Sequence, residues 1–209
     1  MRGFQDRSDA GAQLAAALGG REWQDPVVFG LARGGLPVAA PVARALAAPL
    51  EILVARKIGA PGRPELGVGA VTPDGPAYFD RAGLRALRLT ADELRPHVDR
   101  ARAEARAQVR RYLGDRVPLS PGGRDVVVVD DGVATGGTAI AALRALRAHA
   151  PLRLIFAAPV GAPSSLDKLV READEVVCLQ QPEVFHAVGE FYADFRSTSD
   201  REVLSLLAG

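Results

Sequence analysis

Hydrophobic positions along the chain fall into two kinds of run that take turns. Short unbroken stretches, "PVVFGL" at Pro26–Leu31, "LEILVA" from Leu50, "DVVVV" at Asp125–Val129, "LRLIFAAPV" at Leu152–Val160 and "EVVCLQ" at Glu175–Gln180, lack the polar alternation of a half-solvated strand. Between them apolar residues return every three or four positions, which predicts helices over Asp9–Leu18, around Val38–Ala47, over Asp92–Tyr112, over Gly136–Ala148 and, briefly, from Ser164. The Asp92–Tyr112 segment is the clearest: Leu94, Val98, Ala101 and Ala105 share one stripe, while Arg100, Arg102, Arg106 and Arg110 lie elsewhere. Strands that are apolar throughout, separated by helices, predict a doubly wound α/β fold: a mostly parallel sheet with helices on both faces. In the glycine-rich stretch "KIGAPGRPELGVGAV" at Lys57–Val71 only an edge strand near Leu66–Val71 is legible.

With 209 residues there is room for one sizeable core, so a single domain over 1–209 is expected, with its core at about 20–180. Lys+Arg 26 against Asp+Glu 25 leaves a net charge of +1, too little to recruit nucleic acid or an anionic membrane, and neither is expected as a partner. Cys178 is the single cysteine, which excludes an internal disulfide framework and a cysteine-ligated metal cluster. No long uninterrupted apolar segment occurs, so a soluble, cytoplasmic protein is expected. Nearly every basic residue is arginine; Lys57 and Lys168 are the only lysines.

In a doubly wound sheet, ligands bind beyond the carboxyl ends of the strands. Three glycine-bearing loops take those positions: "ARGGLP", "RKIGAPG" and "DDGVATGGT". In the last, Gly132, Gly136 and Gly137 let the backbone around Val133 and Ala134 fold tightly enough to aim several N–H groups at one point. Thr135 and Thr138 add hydroxyls, and the following helix adds its positive end. This composes a cradle for a phosphate monoester. It spells neither GxxxxGK[ST] nor GxGxxG, which argues against the tail of ATP and the bridge of NAD. Asp130 and Asp131, beside an anion site, call for a ligand with hydroxyls or a cation, and a ribose carries two adjacent hydroxyls.

The run "VVVVDDGVATGGT" resembles the signature of the type I phosphoribosyltransferases, which bind 5-phosphoribosyl-1-diphosphate (PRPP), and the likeness extends from about Val27 to Phe195. The resemblance implies transfer of the phosphoribosyl group to a nitrogenous acceptor such as a nucleobase, with inversion at C1 and release of pyrophosphate. It implies Asp130, Asp131 and Lys57 as catalytic residues and Gly132–Thr138 as the 5′-phosphate loop. Pyrophosphate contact would come from Arg33 and Gly34, in a loop that often holds a cis peptide, and from Arg56 and Lys57. It further implies Mg²⁺ held mainly by substrate and water, a flexible flap at about 59–114, a hood at about 181–209, and a homodimer. Val160, Phe191 and Tyr192 would line the acceptor pocket, and Asp194 would approach the metal. "PVGAPSS" lacks the lysine by which purine-salvage members recognise the base, so the acceptor stays open.

Plainer readings stand beside these. Asp130 and Asp131 could cap a strand, Arg33 could pair with a surface acid, and Phe185, Phe191, Tyr192 and Phe195 could close the core. The arginines of the Asp92–Tyr112 helix could form a lid, a dimer contact or a solvated face. His97 and His186 have no partner at ligand spacing and read as structural or exposed. The alternative function is a PRPP-sensing, RNA-binding regulator with the same fold, which requires a basic face. A phosphotransferase of the haloacid dehalogenase type wants DxDGT, and "VDDGVATGGT" does not supply it.

Overall fold

The structure, a computed structural model, describes residues 3–208. Five strands, β1 (Val27–Leu31), β2 (Leu50–Leu53), β6 (Asp125–Val129), β7 (Arg153–Val160) and β8 (Glu175–Gln180), form a sheet in the order β2-β1-β6-β7-β8. Every neighbouring pair in it is parallel. Register aligns Val28 with Leu50 on one side and Val127 on the other, and Val127 with Ile155.

β6 shows why the sequence makes this sheet. All five of its residues are buried. Val126 and Val128 join Val27, Phe29, Leu154 and Phe156 beneath α5 (Gly137–Arg147) and α6 (Pro163–Leu169). Val127 and Val129 join Val28, Ile155 and Ala157 beneath α1 (Arg7–Leu18) and α2 (Gly35–Ala45). Each fully enclosed valine contributes about 1.5–3 kcal/mol of transfer free energy, so neither face of the strand tolerates a polar residue. The acid at its start, Asp125, is fully buried and accepts from Arg153 Nε at 2.8 Å and from the Gln24 N–H at 2.7 Å. The Arg153 bond holds this carboxyl below its ordinary range.

α1 starts two residues before the apolar periodicity, because Asp6 caps it by accepting from the Asp9 N–H at 2.8 Å. It crosses α2 at close range: a Cβ on Gly11 would lie 2.5 Å from the Val38 carbonyl oxygen and 2.9 Å from Pro41 Cγ.

The segment in which the sequence showed one edge strand folds into a second sheet. β3 (Arg56–Ala60), β4 (Arg63–Val71) and β5 (Tyr78–Phe79) pair antiparallel in the order β3-β4-β5, followed by α3 (Arg81–Leu87) and α4 (Arg95–Leu113). Glycines hid the strands from pattern reading while serving their packing, since a Cβ on Gly59 would collide with Pro64 and one on Gly69 with the Tyr78 carbonyl. Ile58, Val68 and Val71 bury against Leu94, Val98 and Ala101, so α4 covers this sheet with the stripe seen in the sequence. Its other faces are solvated, and many of their arginines are engaged: Arg106 with Asp74, Arg111 with Asp200, and Arg102 with the carbonyls of Pro73 and Gly75.

After β8 the chain runs through a 3-10 turn at Val188–Phe191 to α7 (Asp200–Ala208), an element absent from the sequence reading. Val203 of α7 is buried with Leu36, Ile52, Ala105 and Tyr112, which ties the end of the chain to α2, β2 and α4. No helix among the described residues is long and apolar enough to cross a membrane.

Candidate active site

The acid pair stands where β6 ends. Asp130 is half-buried, and one of its carboxylate oxygens accepts from the Asp131 N–H at 2.9 Å. Burial pushes the Asp130 carboxyl well above its ordinary range, and the neighbouring charge of Asp131 adds to the effect. Asp131 is also pushed up by burial, against the pull of Arg7, whose Nε donates to it at 2.8 Å. The Arg7 guanidinium is itself fixed: Nη1 donates to the Arg196 carbonyl at 2.7 Å and the group lies 3.9 Å from the centre of the Phe195 ring. The Tyr192 hydroxyl donates to the Asp131 carbonyl at 2.6 Å.

The "ARGG" loop after β1 presses against these acids. A Cβ on Gly34 would collide with the Asp131 carboxylate, and one on Gly35 would lie 2.5 Å from the Val129 carbonyl oxygen. Only glycine allows this approach. The peptide joining Ala32 to Arg33 is cis, the geometry anticipated for this loop.

Downstream, the glycine–threonine loop is stitched to the next strand and helix. The Val133 N–H donates to Val160, the Ala162 N–H donates back to Val133, both at 2.9 Å, and the Ser165 hydroxyl donates to the Ala134 carbonyl at 2.7 Å. Gly136 takes a left-handed conformation, φ 78°, and accepts the first bond of α5 from Ile140. Ala134 and Thr135 are exposed while Gly137 and Thr138 are half-exposed, so the loop offers its tip to solvent. Gly132 lies beneath it, where a Cβ would come within 2.5 Å of Val188 Cγ1.

Two cavities flank this centre. One of about 300 Å³ is bounded by Thr135 and Thr138 of the loop and by Lys57, Tyr78, Ser165 and Lys168. Lys57 Nζ donates to the Glu65 carbonyl at 2.7 Å. The other, of about 520 Å³, is bounded by Arg33, Arg56, Glu104, Arg111, Tyr112 and Asp200. In it Asp200 accepts from Arg33 at 3.3 Å, Arg111 at 2.7 Å and the Tyr112 hydroxyl at 2.6 Å, while Arg56 pairs with Glu104 at 2.8 Å. Arg33 and Arg56 thus share a cavity, and Lys57 lies instead beside the glycine–threonine loop.

The remaining candidates scatter. Val160 is fully enclosed and Tyr192 nearly so, the latter between Phe4 and Phe195 with ring centroids at 5.3 and 5.0 Å. Phe191 is half-exposed and stacks on Phe185 at 5.5 Å. Asp194 accepts from the backbone N–H and from Nη1 of Arg196, both at 3.1 Å. Among the described residues no group of three or more His, Cys, Asp or Glu side chains could hold a metal ion. Burial pushes the Cys178 thiol up to about 11, which leaves it a core residue rather than a nucleophile.

Arg7, Arg111 and Asp200 were invisible to sequence reasoning. Arg7 meets Asp131 across 124 positions, and no local pattern marks such a pair. Lys168 carried a signal, its rarity in an arginine-rich chain.

A parallel sheet in this order, with an acid pair at the mouth of its central strand and a glycine–threonine loop entering the next helix, defines a doubly wound α/β domain. The phosphoribosyl transferase domain matches over residues 5–196, and the chain belongs to that family. A relative from Mycobacterium tuberculosis, recorded in strains H37Rv and CDC 1551 and provisionally named a phosphoribosyl transferase, is 44% identical over 210 residues, covering 99% of this chain and 47% of the relative. The chain therefore spans about half the length of the curated relatives it matches. The crystal structure of TT1426 from Thermus thermophilus superposes with a TM-score of 0.82 at 42% identity, covering 99% of this chain and 98% of that one. The AQ2163 protein from Aquifex aeolicus, at 17% identity and a TM-score of 0.51 over 83% of this chain and 73% of that one, shares the fold alone.

Proposed function

We propose that the chain transfers the 5-phosphoribosyl group of PRPP to a nitrogenous acceptor of the nucleobase class, with inversion at C1 and release of pyrophosphate. One observation carries the reading. The "ARGG" loop and the Asp130–Asp131 pair are in contact at the Gly34–Asp131 approach, so a diphosphate on the first and a ribose on the second would belong to one molecule.

In this reading the N–H groups of Gly132–Thr138 and the hydroxyls of Thr135 and Thr138 hold the 5′-phosphate. Asp130 and Asp131 accept from the ribose 2′ and 3′ hydroxyls, and the resulting bonds offset the cost of burying two acids. Backbone groups at Arg33 and Gly34, with the guanidinium groups of Arg33 and Arg56, stabilise the charge that collects on the departing diphosphate. Lys57 sits between the two anion sites: besides the loop cavity, it borders a cavity shared with Arg56. Positive charge grows on the ribose ring as the C1–O bond lengthens, and the acids below the ring stabilise it electrostatically.

The donor set fits Mg²⁺ of the kind that keeps its waters and is held largely by substrate: carboxylates occur here as a pair, and Asp194 is engaged by Arg196. When bound, the ion supplies charge neutralisation at the diphosphate oxygens. Phe191, the accessible ring of the three acceptor candidates, is the surface on which a flat base would stack. An RNA-binding regulator would draw on a basic face along α4, where Arg102, Arg106 and Arg111 are engaged while Arg100 and Arg110 make no ion pair among the described residues. The reading extends to a homodimer, as the resemblance implies, and to action in the cytoplasm.

Calorimetry with PRPP and Mg²⁺, followed by a panel of nucleobases assayed for pyrophosphate release, tests the proposal. Binding is expected for the wild type and loss of binding for Asp130→Asn with Asp131→Asn. Unchanged PRPP affinity in that double variant overturns it.

A further inference from the structure

Only two residues of the chain are lysine, and both stand on the wall of one cavity. Lys57 reaches it from β3 and Lys168 from α6, and the glycine–threonine loop forms the wall between those elements' contributions. We propose that Lys168 is a direct side-chain ligand of the phosphate monoester held by that loop, so that an ammonium and the backbone N–H groups grip the same group. The inference rests on the phosphoribosyl reading above and adds to it a residue that discriminates phosphorylated from unphosphorylated sugars.

Geometry supplies the first argument. α6 is coupled to the loop by the Ala162–Val133 backbone bond and by the Ser165 hydroxyl on the Ala134 carbonyl, at 2.9 and 2.7 Å. Lys168 follows Ser165 by three positions and Ser164 by four, so the three share one helical face, and all three border the cavity. Loop and lysine therefore keep a fixed relation.

Charge supplies the second. Lys168 is exposed and makes no ion pair among the described residues, although its neighbours on the same side of the molecule do, Arg144 with Glu172 and Arg147 with Asp174. The single carboxylate on the cavity wall, Asp80, is turned away to cap α3, accepting from the N–H groups of Ala82 and Gly83 at 3.3 and 3.2 Å. Lys57 has its stem against Gly67 and its ammonium on the Glu65 carbonyl. The cavity thus carries two cations, one of them uncommitted, with hydroxyls from Thr135 and Thr138. That set suits a compact dianion. A flexible point charge, rather than a planar guanidinium, suits a phosphate that must enter past a loop tip and leave again.

The test compares ribose 5-phosphate, ribose and pyrophosphate by calorimetry on the wild type and on Lys168→Ala and Lys168→Gln. The side chain is exposed, so both variants are expected to keep the wild-type Tm. Loss of one charge-assisted bond predicts that ribose 5-phosphate binds at least about tenfold more weakly in both variants. Pyrophosphate affinity is expected to stay within about twofold, since its cations are Arg33 and Arg56. A wild type that binds ribose 5-phosphate, with variants that bind it equally well, overturns the role of Lys168 and leaves the phosphoribosyl reading intact. Equal weakening towards both ligands overturns it too, because a residue at the monoester site acts on one of them. A wild type that takes pyrophosphate but discriminates in no way between ribose 5-phosphate and ribose overturns both readings together.

Discussion

Arg7 Nε lies 2.8 Å from a carboxylate oxygen of Asp131, joining the first turn of α1 to the mouth of β6. The two side chains retain only 12% and 16% of their exposure, so the pair is largely withdrawn from water. Removing one partner of a fully buried pair costs about 3–5 kcal/mol, and residual solvent access here reduces that to about 2 kcal/mol. Arg7→Ala is therefore expected to lower stability by this amount at neutral pH. Arg7 opposes the upward push of burial on Asp131, so its loss raises that carboxyl further. The penalty belongs to the ionised acid and fades as pH falls through the raised folded-state value of the Asp131 carboxyl, where it takes up a proton. Thermal unfolding at pH 7.5 and pH 4.5 checks this: an equal loss at both would show that Arg7 acts by packing alone.

Asp130 carries a related expectation with the opposite outcome for stability. Its folded-state carboxyl is raised, so the folded protein binds its proton more tightly than the unfolded chain does. The contribution is favourable below the unfolded value near 4 and is lost as pH rises through the folded one. Asp130→Asn removes this cost and is expected to raise the Tm of the ligand-free protein at neutral pH by about 2–4 °C for each kcal/mol relieved. The same variant is expected to lose PRPP affinity. A protein that gains stability while losing ligand binding would show that the acid is kept for its ligand.

Gly34 has φ −62° and ψ −30°, angles that any residue adopts, so only space forbids a side chain there. Gly34→Ala drives a methyl group into the Asp131 carboxylate. Overpacking of this kind costs about 1–3 kcal/mol. PRPP affinity is expected to fall more than the stability change explains, because the methyl also separates the two loops that share the substrate in the proposed reading. Calorimetry beside thermal unfolding separates the two effects.

Asp200 competes for the cation assigned to pyrophosphate. It accepts from Arg33, Arg111 and Tyr112, and the Tyr112 and Arg111 bonds hold its carboxyl below the ordinary range, so it is charged at neutral pH. Asp200→Asn is expected to tighten pyrophosphate binding several-fold by removing a like charge from the same cavity. Unchanged or weaker affinity would place pyrophosphate elsewhere.

The parallel sheet and the acid–glycine–threonine loop were legible because each is local. Four valines in a row report burial on two faces, and Asp130 to Thr138 is one continuous segment. Leu94, Val98, Ala101 and Ala105 announced a buried stripe, though not that β3 and β4 lie beneath it. Those strands escaped because Gly59, Gly67 and Gly69 stand where alternating side chains would have marked them. The Arg7–Asp131 pair escaped for a different reason: it is a product of tertiary docking, and nothing near either residue encodes the other. Lys57 shows what position along the chain leaves out: its place after β2 is local, whereas its approach to the glycine–threonine loop is made by the fold.

Gly11 sits one helical turn beyond Arg7, where α1 rests almost backbone to backbone on α2. Any side chain at position 11 must wedge those helices apart, and α1 would carry its guanidinium away from the acid it neutralises. A mutation remote from the acid pair would then act as an electrostatic one, with clearance between two helices functioning as the dial that sets how negative the mouth of β6 is.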